Sequence, residues 1–89
     1  MINMNINQLI AIVKKKLEDG LIIEKLTIED KTFLHKNHTG HQVDKFHLKV
    51  YIKSDQLRKL NKIESNKKIY KILDQEMNEF IHSLQILII

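Results

Sequence analysis

Five histidines and no cysteine set the ligand chemistry open to this chain of 89 residues. His35, His38 and His41 recur at a spacing of three in "HKNHTGH", and His82 stands in "FIHSLQILII" between a helix-like stretch and an aliphatic run. Packing a greasy strand does not require an imidazole at its mouth. His82 serves there either as a hydrogen-bonded structural histidine or as a nitrogen ligand to a metal, since neutral imidazole binds zinc, iron and copper. The clustered three have two readings as well: a polar solvated loop, or adjustable ligands like those of His-rich zinc sites that activate water. An enzyme of that kind also needs a pocket and a placed acid or base. A chain this short, with one thin core, leaves little room for them. No nucleophile–base pair and no glycine-rich phosphate loop is present, so the chain reads as non-catalytic.

The elements that must position these histidines follow from hydrophobic periodicity. Ile6, Leu9, Ile10, Val13 and Leu17 fall at helical spacing, with Asn3 or Asn5 as a cap and Gly20 at the exit. "LIIEKLTIED" predicts a strand with Leu26 and Ile28 on one face, and "KTFLHKNHTGHQVDK" a loop. In "KFHLKVYIKS", Phe46, Leu48, Val50 and Ile52 alternate with Lys45, His47, Lys49, Tyr51 and Lys53. That period of two means one buried face and one wet face, and it puts His47 on the wet one. Ser54 caps a short helix over Asp55–Leu60, and a longer helix over Ile63–Phe80 carries Ile69, Leu73, Met77 and Phe80 on its inner stripe. Leu84, Ile86 and Ile88 alternate into a third strand. The expected fold is α+β, a two-layer sandwich of order α-β-β-α-α-β. Its mixed three-stranded sheet has helices on one face, an antiparallel first pair, and a third strand reached through helices and free to run parallel.

The chain reads as a single domain, 1–89, with no repeat, no linker and no proline. Its polar start precedes its apolar residues, the wrong order for a signal peptide, and no apolar stretch approaches the ~20 residues of a membrane helix. A soluble cytoplasmic protein is expected. The net charge is +4, carried almost wholly by lysine, with Arg58 the only arginine. Lys53, Arg58, Lys59, Lys62, Lys67, Lys68 and Lys71 cluster in sequence around the helices, a candidate surface for an acidic partner or for nucleic acid.

From Asp30 onward the residues resemble those of BolA-like proteins. The matching pieces are Asp30-x-Thr32-x-x-His35-x-x-His38, Phe46-His47-Leu48-x-Val50, Ile52-x-Ser54-x-x-Leu57, Tyr70 with Leu73, and Ile81-His82-Ser83-Leu84. Two positions depart: Lys59 stands where the family often has glycine, and Ser65-Asn66-Lys67 where it often has Arg-His-Arg. The resemblance implies a fold like that of class II K-homology domains. It also implies a monothiol glutaredoxin as partner, with a shared [2Fe-2S] cluster to which His82 and His35 contribute nitrogen, His38 or His41 being substitutes for the latter. The glutaredoxin would bring cysteine and glutathione, which suits a chain without thiolates of its own. Imidazole ligation of a [2Fe-2S] iron is sound chemistry and tends to raise the reduction potential. His47 is expected to be structural or part of the same polar patch. The alternative is a DNA-binding transcriptional regulator using a basic helix-turn-helix-like region. RNA binding by a K-homology loop is disfavoured, because "LRKLNKIES" lacks the glycines of the GXXG grip.

Overall fold

The computed structural model describes residues 4–32 and 45–89. The element order is α1 (Ile6–Gly20), β1 (Lys25–Asp30), β2 (Phe46–Lys53), α2 (Asp55–Arg58), α3 (Lys62–Ile72), α4 (Asp74–Glu79) and β3 (Ile81–Ile88). The sheet order is β1-β2-β3, with β1 antiparallel and β3 parallel to the central β2. This is the mixed α+β arrangement that the sequence predicts.

Three of the helices, α1, α2 and α3, start on a side-chain cap. Asn5, one of the two expected caps, accepts from the Gln8 amide at 2.8 Å while the Gln8 side chain accepts from the Asn5 amide at 3.1 Å, a reciprocal capping box. Ser54 is fully buried; its hydroxyl donates to the Ile22 carbonyl at 2.7 Å and accepts from the Leu57 amide at 3.2 Å. One side chain thus opens α2 and ties it to the segment leaving α1. The core lies between the helices and one sheet face: Leu9, Val13 and Leu17 from α1, Leu48, Val50 and Ile52 from β2, Leu57, Ile69 and Leu73, and Ile81 and Leu84 from β3.

Several boundaries differ from the periodicity reading. β1 begins at Lys25, because Leu21 caps α1 and Ile22 is used by Ser54 and by Gln56, whose side chain accepts from the Ile22 amide. α2 ends at Arg58, two residues short of the predicted end, and Asn61 caps α3 one residue before its predicted start. The long helix is two segments: Leu73 leaves the α region with ψ near 19°, and Asp74 opens α4 with a carboxylate in its first turn. Its inner face also buries a charge that the apolar stripe did not show. Glu76 is 3 % exposed and pairs with Lys16 of α1 at 2.6 Å.

Candidate functional site

The last strand begins three residues earlier than its aliphatic alternation indicates, and the reason lies in its register. Phe46 pairs with Ile81, but His47 pairs with Ser83, so His82 is an extra residue opposite β2. The backbone confirms the slip. The Phe80 carbonyl accepts from the Phe46 amide, and nine residues later the Ile89 amide donates to the Ile52 carbonyl. In a regular strand only residues an even number apart bond to the same neighbour, so one residue has been inserted. The consequence is on the side chains: Ile81 and Leu84 both point into the core, while His82 and Ser83 are both exposed. Without the bulge two consecutive residues could not share the wet face.

That placement assembles a cluster. Ser83 Oγ and His47 Nδ1 share a hydrogen bond of 2.6 Å, across the register that pairs their backbones. The His82 ring meets the His47 ring edge to face, with centroids 4.9 Å apart and planes at 60°. A hydrogen bond at one ring nitrogen fixes imidazole orientation and tautomer. Ser83 therefore orients His47, and His47 limits the rotamers of His82. Sequence alternation assigned His47 to the wet face but gave no sign of its neighbour, which lies on a different strand.

Residues 30–32, which precede the stretch 33–44, also meet the backbone of His47. Thr32 donates from both its amide and its hydroxyl to Asp30 Oδ1, at 2.9 and 2.5 Å. The same hydroxyl accepts from the His47 amide at 3.1 Å, and the Lys31 amide donates to the His47 carbonyl at 2.7 Å. The Asp30-x-Thr32 piece is thus a clamp on the backbone of His47. His35, His38 and His41 lie outside the described residues, but the chain that carries them leaves at Thr32 and returns at Lys45, both beside His47. Further along this face the Lys49 ammonium sits 5.0 Å from the centre of the Tyr51 ring. Its bond to Tyr51 raises its pKa above the usual lysine value, burial opposes this slightly, and the charges of Tyr51 and Glu29 add to it. Among the described residues no three histidine or carboxylate side chains converge as a metal site. What the described residues show is one exposed imidazole, His82, packed against a second, His47.

The seven expected partner-binding cations are exposed but do not surround His82. Lys53, Arg58, Lys59 and Lys62 lie at the other end of the sheet, where Ile52 pairs with Ile88 and Arg58 donates to the Ile89 carbonyl at 2.6 Å. Seven strand residues separate the two ends, about 23 Å. Arg58 is also occupied: it pairs with Asp55, and with Glu24 at 3.6 Å. α3 runs from that end back toward the histidines, with Tyr70 donating to the Leu84 carbonyl at 3.2 Å. The remaining three, Lys67, Lys68 and Lys71, are on α3, which packs on the sheet face opposite the one that carries His82.

A small α+β domain with a bulged final strand and paired imidazoles is what this fold and site define. The sequence model of the BolA-like protein family matches residues 17–89, and the chain belongs to that family. It is similar to the DNA-binding transcriptional regulator BolA of Haemophilus influenzae, 29% identical over 73 residues, which covers 82% of this chain and 68% of the relative. Among solved structures it resembles the BolA domain of SufE1 from Arabidopsis thaliana, with a TM-score of 0.74 and 27% identity over 88% of this chain and 86% of that one. BolA1 from the same plant gives 0.73 and 26%, at the same coverage.

Proposed function

We propose that this chain is a non-catalytic partner of a monothiol glutaredoxin in the cytoplasm, sharing a [2Fe-2S] cluster with it for cluster assembly, trafficking or iron sensing. The observation that carries the reading is the bulge, which holds His82 exposed beside a second, serine-oriented imidazole. With no cysteine in the chain, sulfur must come from the partner, and a half-site of nitrogen donors fits that division.

His82 would bind iron from a rigid strand. His35 would supply the second nitrogen, with His38 or His41 able to replace it. Bound there, the cluster supplies an electron- and iron-carrying centre; the chain itself orients the imidazoles and supplies cations to dock an acidic surface. Lys67→Glu with Lys68→Glu should weaken the complex and reduce its salt dependence, and unchanged affinity in titration calorimetry would remove both from the interface.

The test is co-expression with a monothiol glutaredoxin, anaerobic purification and visible circular dichroism. A coloured heterodimer is expected, with a spectrum altered or bleached in His82→Ala and no colour from this chain alone. An identical spectrum in both forms would return His82 to a structural role. The second reading, a DNA-binding regulator, draws on the name of the Haemophilus relative and on the exposed lysines. It predicts DNA affinity that falls steeply with salt and needs no glutaredoxin.

A further inference from the structure

The two outer strands of the sheet are protected very differently. β1, "KLTIED", carries Lys25, Glu29 and Asp30, and Lys31 follows, paired with Glu29 at 3.3 Å. Charges of this kind blunt an edge against further pairing. β3 after His82 reads "SLQILI" and bears no charge and no proline. Its open backbone groups can be assigned. The Ile89 amide bonds to β2, so those of Ser83, Gln85 and Leu87 face β2 as well, and those of Leu84, Ile86 and Ile88 face outward. The Leu84 carbonyl is capped by Tyr70. Those of Ile86 and Ile88 find no partner among the described residues.

These two residues, with Leu87, form one wall of an open groove. Leu57 and Leu60, with Lys62, Ser65 and Asn66 of α3, line the rest of it. Leu87 and Ile89 are exposed at its rim. Lys62 and the neighbouring Lys59 are exposed and have no carboxylate partner among the described residues, whereas Arg58 is already paired. A second copy of this chain would bring the same lysines against themselves. The geometry points to an acidic, extended segment of a partner protein that adds as a fourth strand beside Ile86–Ile88, with apolar side chains in the groove and carboxylates near Lys59 and Lys62. Main-chain pairing supplies the bonds, and the groove and the lysines select the sequence. The site stands at the opposite end of β3 from His82 and does not depend on the cluster, so the two readings fail separately.

The probe is a capped octapeptide of alternating valine and glutamate, titrated into the ¹⁵N-labelled chain. Its shifts should centre on the Ile86 and Ile88 amides, which should also slow in hydrogen exchange. Lys59→Glu with Lys62→Glu should weaken binding about tenfold and remove most of its salt dependence. A backbone N-methylated version of the peptide should not bind. The proposal is overturned if no peptide moves those amides, or if a valine–lysine peptide binds equally well. It is likewise overturned if a single-stranded oligonucleotide moves them and the peptide does not, or if they broaden with protein concentration alone as a dimer forms.

Discussion

Deleting His82 should leave a folded protein, and this sets the bulge apart from every other position in the central ladder. With His82 removed, Ile81, Ser83 and Leu84 would sit opposite Phe46, His47 and Leu48 in unbroken register. Ile81, Leu84, Ile86 and Ile88 would keep their inward places, and the lost side chain is an exposed one. The expected change in stability is within about 1 kcal/mol of wild type, as for surface substitutions. Deleting Lys49 from β2 is the matched control. Either Val50 and Ile52, both fully buried, or Phe46 and the buried Leu48 must turn to water, depending on which side slides. Two side chains at about 1.5–3 kcal/mol each give a loss of about 3–6 kcal/mol, comparable to the whole stability of a small domain. Urea unfolding followed by circular dichroism reads both. Equal destabilisation by the two deletions would refute the assignment of His82 as an extra residue outside the packing register.

Lys16→Met leaves the Glu76 carboxylate buried without its cation and should cost about 3 kcal/mol, while adding Glu76→Leu should recover most of that loss in the same unfolding assay. Ser54→Ala removes a buried cap and leaves the Ile22 carbonyl without its donor, for a loss of about 2 kcal/mol measured as a lowered midpoint in urea. Ser83→Ala should cost only about 1 kcal/mol but release the orientation of His47, seen as a change in the ¹⁵N shifts of its ring nitrogens. Ring shifts that stay fixed would mean that other contacts orient it.

Patterns contained within one element were readable from the residues. The alternation of Phe46 to Lys53 located β2 and its two faces, because a sheet covered on one side imposes a period of two on its central strand. Ser54 announced α2 by its chemistry, and the order of elements brought β3 in parallel to β2. Properties that belong to pairs of elements stayed hidden. The bulge is a relation between β2 and β3, and nothing in "FIHSLQILII" by itself says that His82 is skipped; apolar residues at Leu84, Ile86 and Ile88 showed only where regular alternation resumes. The contact between His47 and His82 joins residues 35 apart in sequence. Glu76 looked like a polar helix position until α1 supplied Lys16. The helix break at Leu73 carries no glycine or proline to mark it. The basic residues formed one group in sequence, but the sheet sets Lys53 six strand residues, about 20 Å, from His47.

In the proposed function an imidazole of this chain, presented by the bulge, binds iron. The most direct measurement is pulsed electron paramagnetic resonance on the reduced glutaredoxin complex, with this chain alone labelled with ¹⁵N-histidine. Strong ¹⁵N couplings to the cluster are expected from two histidines, one of which disappears in His82→Ala while His47→Phe keeps both. A complex whose cluster shows no histidine nitrogen coupling from this chain would contradict it.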